Sequence, residues 1–293
     1  LIRQDTDFHV LPLPKARIAS LKICHSATPE MPYDISCDIG FNNQLALENT
    51  RLLLSYAMLD PPRLRALVLF IKGWTKRRKL NSPYTGTLSS YGYALLVLFF
   101  LIHVKKPAVL PNLQRIPAGR ELSQHDIMLE GHSIYFYDDM EALRRQWHSN
   151  NTDSVGELLL DFFRYFSRDF NYTKDAIAMR TEGGLVTKES RRWTHDLLCI
   201  EDPFQAGYNV ARTVTKDGLY TIRGEFMRAS RLLANRTIRV PQLLHELCME
   251  REDGLTRAPD FPQRHHDHHR FRGRAFDDMS RAFVPHGISY PPA

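Results

Sequence analysis

The hydrophobic period of the chain changes once, near residue 43, and this change constrains the fold more than any other feature. Residues 33–41 alternate strictly between apolar and polar side chains, which is typical of a half-buried strand with an acidic face. From Gln44 onward the apolar residues recur at helical spacing, first over 44–59 and then over 63–79. The pattern therefore predicts a short β region followed by a longer helical one.

Further segments extend this pattern on both sides of the change. Residues 16–23 read as another strand, and because two strands are few for a sheet, we expect the sheet to begin upstream of Leu1. Three more helices are predicted, over 88–104, 155–170 and 219–235. Ser154 and Glu157 have the spacing of a capping box and mark the start of the second of these helices.

Composition excludes several classes of protein. With 293 residues, 43% hydrophobic and 25% charged, the chain is not mostly disordered, collagenous or coiled-coil. The four cysteines form no CxxC pair, which argues against a zinc knuckle or a disulfide framework. The longest apolar run, 93–104, is shorter than the roughly 20 residues of a membrane span, so we expect no membrane association. The net charge of +6 fits either a polyanionic partner or a solvated basic surface.

The last part of the sequence differs from the rest. After about Arg251 aliphatic residues become rare and arginines frequent, and histidines cluster at 265–269. This composition predicts a disordered basic tail, because such a segment has little apolar surface to bury. A metal site in the histidine cluster is the less favoured alternative.

Two charged features have the chemistry of a phosphate or metal site, and each also has a plainer interpretation. Asp38 ends the alternating strand on its polar face, where it is either a ligand for a divalent metal or an ordinary exposed acid. Asp34 shares that face but lies roughly 13 Å away along the strand, so the two cannot form a two-metal site together. Lys72 and Lys76 share one helix face, which suits a bound triphosphate or a solvated helix end.

Two loops carry polar and aromatic residues together. In Gly-Thr-Leu-Ser-Ser-Tyr-Gly at 86–92, hydroxyls and free backbone N–H groups at a helix start make an anion site, and Tyr91 offers a ring for stacking on a base. The plainer interpretation is N-capping beside a half-buried tyrosine. The segment 200–213 joins an acidic turn to polar and aromatic residues, and it fits either the edge of a base or a surface turn.

Taken in order, these segments resemble the template-independent RNA nucleotidyltransferases of the polymerase-β superfamily, the cytoplasmic poly(A) and poly(U) polymerases that include terminal uridylyltransferases. The resemblance covers residues 16–235. Its main matches are Cys-Asp-Ile-Gly-Phe-Asn-Asn at 37–43, Ile-Lys-Gly-Trp-Thr-Lys-Arg at 71–77, Gly-Thr-Leu-Ser-Ser-Tyr-Gly-Tyr at 86–93, Val-Leu-Pro-Asn-Leu-Gln at 109–114, Glu-Asp-Pro-Phe at 201–204 and Ile-Arg-Gly-Glu-Phe at 222–226.

The resemblance implies an α+β, mostly helical fold. The second half of a nucleotidyltransferase α/β palm would span 1–42, a helical domain with the poly(A)-polymerase-associated region 43–245, and the basic tail 246–293. The implied enzyme adds AMP or UMP from ATP or UTP to RNA 3′ ends by two-metal phosphoryl transfer, with Mg²⁺ or Mn²⁺ as cofactor. It also implies a cytoplasmic location, with the nucleus as the alternative, and it indicates neither a specific protein partner nor an RNA target.

The resemblance also assigns residues to the implied nucleotide site. Asp38 matches the third metal-binding aspartate and is the catalytic residue. The nucleotide-binding residues are Asn43 and Asn49 at the ribose, Thr50 beside them, Lys72 and Lys76 at the triphosphate, Ser90 at a phosphate, Tyr91 stacking on the base, and Asp202 and Tyr208 at the base edge.

The sequence departs from this family in two places. The Gly-Ser motif and the Asp-x-Asp pair that should precede residue 16 are absent, so we expect this chain alone to be inactive. Tyr208 stands where uridine-selective relatives have a histidine, and Gln205 where close relatives have an acid, so the choice between adenine and uracil stays open. The alternative to an enzyme is a non-catalytic RNA-binding or scaffold protein that keeps the helical lobe.

Overall fold

The computed structural model describes residues 2–14, 19–119 and 121–252, and the chain divides after Ala46 into an N-terminal unit and a helical unit. Within the described residues the helices are α1 (Ile2–Asp5), α2 (Gln44–Leu59), α3 (Ala66–Arg77), α4 (Ser90–Phe99), α5 (Gln124–Ile127), α6 (Met140–Gln146), α7 (Val155–Arg164), α8 (Lys216–Ala234) and α9 (Val240–Leu247). The strands are β1 (His9–Leu13), β2 (Ser20–His25), β3 (Ile35–Gly40), β4 (Met128–Leu129), β5 (His132–Ser133), β6 (Asp175–Ile177) and β7 (Leu185–Thr187).

The N-terminal unit contains an antiparallel sheet with the strand order β1-β2-β3. The register places Lys22 on β2 opposite Asp38 on β3. Asp34 lies outside β3, where its carboxylate accepts a hydrogen bond of 2.8 Å from the Ala27 N–H and closes the β2–β3 connection. Strand β1 supplies a third strand within the described chain; sequence analysis missed it because Pro12 interrupts the alternation.

The predicted helices are present, with changes at their ends. Helix α2 has the predicted bounds, while the helices predicted over 88–104 and 155–170 are α4 and α7, each continued by one π-helical turn. The capping box at Ser154 is confirmed, because the Ser154 Oγ accepts from the Glu157 N–H at 3.3 Å and the Glu157 carboxylate accepts from the Ser154 N–H at 2.8 Å. In the described ranges, no helix has the length and apolar character needed to cross a membrane.

The core of the helical unit is an aromatic cluster where α3, α7 and α8 meet. Trp74 of α3 packs edge-to-face on Phe163 of α7 at 4.8 Å and stacks on Phe226 of α8 at 5.9 Å between ring centroids. All three side chains are at most 1% exposed. Burying each ring contributes roughly 2–3 kcal/mol, so this cluster fixes α3 on α8.

The helical unit continues past residue 245. Helix α9 was not predicted; it buries Leu247, and the guanidinium of Arg228 donates to the carbonyls of Glu246 and Leu247. The Arg251 N–H then donates to the Arg77 carbonyl at 3.0 Å. The first residues assigned to the tail, 246–252, are thus packed on α3 and α8, while the remainder of the predicted tail and its histidine cluster lie outside the described residues.

Candidate active site

Asp202 is the hydrogen-bonding centre of the candidate site. Its side chain is buried, and its Oδ1 accepts from the backbone N–H groups of Phe204 and Gln205, both at 3.0 Å. Its Oδ2 accepts from the hydroxyl of Tyr91 at 3.0 Å and from the Nδ2 of Asn49 at 3.3 Å. A buried carboxylate is stable only when it is hydrogen-bonded in this way. Asp202 therefore links α2, the start of α4 and the loop that it occupies.

Tyr91 is held as a neutral phenol by this arrangement. Burial and the adjacent Asp202 carboxylate raise the pKa of Tyr91 well above its usual range. The hydroxyl is the donor to Asp202, so the position of the ring is fixed by a hydrogen bond at its far end. The ring is half-buried, which leaves part of its surface for a ligand to stack on.

One buried polar atom of Asn49 accepts no hydrogen bond within the described residues. Its Nδ2 donates to Asp202, but its Oδ1 is buried and accepts no hydrogen bond from any described residue. An unsatisfied buried acceptor costs roughly 1–3 kcal/mol, so such an atom points to a ligand that supplies a donor. A ribose hydroxyl has that chemistry. Thr50, the next residue on α2, is exposed.

Tyr208 is joined to Asp202 through the backbone. The Asp202 N–H donates to the Tyr208 carbonyl at 3.0 Å. The guanidinium carbon of Arg212 lies 4.8 Å from the centroid of the Tyr208 ring, which is cation–π distance. Sequence analysis did not single out Arg212, although its spacing of four residues from Tyr208 was available as a signal.

The loop that carries Asp202 is braced on both sides. Buried Glu201 pairs with Arg191 at 2.8 Å and accepts from the Gly207 N–H at 3.0 Å. The side chain of Asn209 accepts from the backbone N–H groups of Ile200 and Ala211, each at 2.9 Å. Gln114 donates to the Pro203 carbonyl at 2.8 Å. The predicted surface turn is thus a fixed, largely buried loop.

The predicted anion loop is packed against α8. Gly86 has a φ of +82°, and its carbonyl accepts from the Thr215 N–H at 3.0 Å. A Cβ at Gly218 would lie 1.8 Å from that carbonyl oxygen, so only glycine permits this approach. The predicted capping is confirmed, since the Ser89 Oγ accepts from the Gly92 N–H at 3.1 Å.

The start of α4 and the end of α3 lie together. The Nδ2 of Asn81, just after α3, donates to the Oγ of Ser90, the first residue of α4, at 2.7 Å. Lys72 and Lys76 are exposed on α3, and neither forms an ion pair with a carboxylate in the described ranges. Lys76 lies on the last turn of α3, and Asn81, four residues beyond the end of that helix, contacts Ser90.

The sequence of this chain is similar to those of several known proteins. A family model described as Cid1 family poly(A) polymerase matches residues 154–207. The chain is 43% identical over 244 residues to the terminal uridylyltransferase cid1 of Schizosaccharomyces pombe, covering 78% of this chain and 58% of that protein. It is 37% identical to the poly(A) RNA polymerase cid13 of the same organism, over 68% of this chain and 34% of that protein.

Solved structures extend the likeness to the fold. A mutant Cid1 poly(U) polymerase bound to MgATP is 44% identical, with a TM-score of 0.74, covering 83% of this chain and 72% of that one. Cid1 in complex with its short product ApU matches over 83% and 73% of the two chains, with 43% identity and a TM-score of 0.74. The chain belongs to the Cid1 family. It spans less than two thirds of the length of the curated relatives.

The Cid1-family assignment confirms the predicted family and its α+β fold, and the structure brings part of the predicted site together. Asn49, Tyr91 and Asp202 are in direct contact, Tyr208 joins them through the backbone, and Ser90 precedes Tyr91. Asp38 and Asn43 belong to the N-terminal unit, where Asp38 is exposed on β3 and Asn43 is half-buried before α2. Their convergence on the same nucleotide stays a prediction.

The residues present do not fit a complete two-metal centre of a Cid1-family enzyme. In the part of the chain that the structure describes, no three His, Cys, Asp or Glu side chains are grouped as a metal site requires. Asp34 lies outside β3 and its carboxylate accepts from the Ala27 N–H, which leaves Asp38 as the single candidate ligand on β3. Two-metal transfer needs ligands for both ions, and the described residues of this chain do not supply a complete set.

Proposed function

We propose that this chain is the nucleotide-binding part of a template-independent RNA 3′-terminal nucleotidyltransferase that takes ATP or UTP. The family relationship supports the reaction class, since the relatives are named as terminal uridylyltransferases and poly(A) polymerases. The observation in this chain that carries the proposal is the Asn49–Tyr91–Asp202 cluster, with its buried, unsatisfied Asn49 Oδ1.

The cluster would hold the nucleoside of the triphosphate. The base lies on the ring of Tyr91, whose orientation Asp202 fixes, and a ribose hydroxyl donates to the Asn49 Oδ1. The loop carrying Asp202 and Tyr208 faces the base edge. A fixed polar loop of this kind recognises a ligand without having to reorganise when it binds.

Lys72 and Lys76 would neutralise the triphosphate. Two exposed ammonium groups on one helix face repel each other, and a polyanion between them removes that repulsion. Their helix ends beside Ser90, whose hydroxyl can donate to a phosphate oxygen while its Oγ accepts from Asn81. The lysines would act by charge, with no fixed geometry of their own.

The second substrate would be the 3′ end of an RNA. Solved relatives were crystallised with the product ApU, with a UTP analogue and with MgATP. Relatives solved with Mg-nucleotides support divalent metal use by the whole enzyme, and Asp38 would be the ligand that this chain contributes. The proposed location of the enzyme is the cytoplasm.

Calorimetric titration of the 293-residue chain with ATP and UTP tests the proposal. We expect both to bind, and Tyr91→Ala to weaken binding on the order of tenfold because stacking on the ring is lost. Tyr91→Phe keeps the ring and should retain most of the affinity. The matched control is Tyr84→Ala, which removes an exposed tyrosine from the neighbouring loop. Failure of the unaltered chain to bind either nucleotide would show that the proposed site is wrong.

The single carboxylate on β3 favours a second candidate function, a non-catalytic RNA-binding protein that retains the nucleotide cleft. A primer-extension assay with labelled RNA, ATP or UTP, and Mg²⁺ or Mn²⁺ separates the two. Extension by the purified chain would exclude the second candidate. Nucleotide binding without extension, restored when a complete palm is supplied, would assign the chain to the enzyme.

A further inference from the structure

A second cavity of the helical unit has the chemistry of a base-binding site. It has a volume of about 370 Å³, and its lining includes Leu59, Arg63, Arg144, Trp147 and His148. None of these residues belongs to the candidate nucleotide site. We propose that this cavity binds one unpaired nucleotide of single-stranded RNA, with its base against the indole of Trp147 and its phosphate at Arg144.

Two aromatic side chains line the cavity, and both rings are available to a ligand. Trp147 is half-buried and His148 exposed, and within the described ranges neither ring takes part in a side-chain hydrogen bond, an ion pair or a ring contact. Trp147 is positioned by the end of α6, where its N–H donates to the Leu143 carbonyl at 2.8 Å. A flat apolar ring that borders a cavity and is unpaired suits a stacking ligand.

The charges around the cavity favour an anion. Asp60 also lines it, but its carboxylate is paired with Arg63 at 2.6 Å, and Arg63 is further fixed by the Asn151 carbonyl at 2.8 Å. Arg144 has no carboxylate partner in the described chain; its guanidinium donates only to the Met58 carbonyl at the end of α2. Arg144 therefore keeps donors and a full positive charge for a ligand phosphate.

The size and position of the cavity favour a nucleotide within an RNA strand. Its volume falls in the range of small-molecule sites, which is roughly 300–1,000 Å³. Asn49 and Leu59 lie on the same helix, α2, ten residues apart, which corresponds to about 15 Å along the axis. A stacked strand rises roughly 3.4 Å per nucleotide. An RNA whose 3′ end is at the proposed nucleotide site would thus reach the cavity about four nucleotides upstream. This step rests on the proposed function.

The test is fluorescence anisotropy of a fluorescein-labelled, unstructured 12-nucleotide RNA titrated with the 293-residue chain. We expect Trp147→Ala to weaken binding roughly tenfold through lost stacking. Arg144→Ala should also weaken binding, and it should lower the salt dependence by about one ion. The matched control is Arg145→Ala, which removes the same charge from the adjacent exposed residue that does not line the cavity. A duplex of equal length should show no dependence on Trp147.

Tryptophan fluorescence gives a second readout that does not require replacing Trp147 by alanine. RNA should quench the tryptophan emission of the unaltered chain, and Trp147→Phe should lose that quenching while remaining folded. Equal RNA affinity in Trp147→Ala, Arg144→Ala and Arg145→Ala, or equal quenching with and without Trp147, would overturn the proposal. Quenching of the Trp147 emission by an acidic aromatic peptide, but not by RNA, would also overturn it and assign the cavity to a protein partner.

Titration with ATP and UTP distinguishes failure of the proposed cavity from failure of the proposed nucleotide site. Trp147→Ala should bind both nucleotides as the unaltered chain does, because Trp147 does not contact the Asp202 cluster. If the unaltered chain binds neither nucleotide, the proposed nucleotide site fails, whereas a Trp147-dependent RNA affinity would still support the cavity.

Discussion

At the base end of the candidate nucleotide site, Asp202 is buried and each of its carboxylate oxygens accepts two hydrogen bonds from the chain. At the phosphate end, Lys72 and Lys76 are exposed, and no described carboxylate pairs with them. One end is therefore a fixed polar network assembled from three segments. The other is a pair of solvated charges on one helix.

This difference between the two ends predicts how substitutions at each end affect stability and nucleotide affinity. A substitution in the buried network leaves other buried groups unsatisfied, so it lowers both the stability of the fold and nucleotide affinity. A substitution among the exposed lysines removes only charge, so it lowers affinity in a salt-dependent way and leaves the fold intact. Measurements of stability and of affinity on the same variants distinguish the two.

The largest effect on stability is expected just after α3, the helix that carries the two lysines, where Arg78 attaches it to α8. The Arg78 guanidinium forms two hydrogen bonds of 2.8 Å with the carboxylate of Glu225, which also accepts from Arg228 at 2.9 Å. Glu225→Ala leaves the buried Arg78 charge unpaired, so we expect the free energy of unfolding to fall by about 3 kcal/mol or more. Urea denaturation followed by circular dichroism measures it, with the exposed Glu189→Ala as the charge-matched control.

The same pair makes the stability depend on pH. Burial by itself would raise the pKa of Glu225, but the hydrogen bonds and charges of Arg78 and Arg228 outweigh it and hold that pKa below its usual value of 4.5. The stabilisation is therefore complete above pH 4.5 and is lost as the pH falls through the lowered pKa. Glu225→Ala should flatten the acid limb of a stability–pH curve; an unchanged limb would show that other groups determine it.

The second effect concerns the base end itself. Asp202→Ala removes the acceptor for Tyr91, for Asn49 and for the backbone N–H groups of Phe204 and Gln205. We expect the free energy of unfolding to fall by roughly 2–3 kcal/mol and nucleotide binding to be lost. Asp202→Asn retains the shape and one acceptor oxygen, so it should be less destabilising. If Asp202→Ala bound nucleotide with unaltered affinity, the buried network would not be part of the site.

Local signals were enough to predict much of the fold, because they act between neighbouring residues. The bounds of α2 follow from apolar periodicity, and the capping box at Ser154 follows from a three-residue spacing. Helix α9 was missed although its apolar residues Val240, Leu243, Leu244 and Leu247 have helical spacing, because it is short and adjoins the polar sequence that indicates a tail. Its stability comes from the burial of Leu247 and from the hydrogen bonds of Arg228 on α8, and these tertiary contacts cannot be predicted from neighbouring residues.

The candidate site was predictable as a set of residues but not as a network. Family-like segments pointed to Asn49, Tyr91 and Asp202, yet the contact between Tyr91 and Asp202 joins residues 111 positions apart. No pattern in the sequence specifies which oxygen of Asp202 each donor uses, or that the Asn49 Oδ1 is left unsatisfied. Such pairings depend on how α2, α4 and the loop pack, which only the tertiary structure shows.

A smaller effect is expected at the phosphate end. Lys72→Ala and Lys76→Ala should each weaken ATP and UTP binding on the order of tenfold at low salt, because each removes a charge from the triphosphate. The melting temperature should not change, and the difference from the unaltered chain should shrink at high ionic strength. Arg77→Ala is the matched control, since Arg77 lies on the face of α3 near Cys248. A loss of stability in either lysine variant would contradict the proposed contrast between the two ends.

The smallest effect is expected at Arg212, an exposed charge that contacts a residue of the base end. Its exposed guanidinium covers the ring of Tyr208, an arrangement that contributes roughly 0.5–1 kcal/mol at the surface. If this contact holds the ring against the base edge, Arg212→Ala should move the ratio of ATP to UTP affinity two- to fivefold toward one, and it should lower the melting temperature by about 4 °C at most. Arg212→Lys keeps the charge but loses the planar stack, so it should resemble Arg212→Ala. If only Tyr208→Ala altered the ratio, the ring would be positioned by its backbone link to Asp202, and the base end would need no positive charge from Arg212.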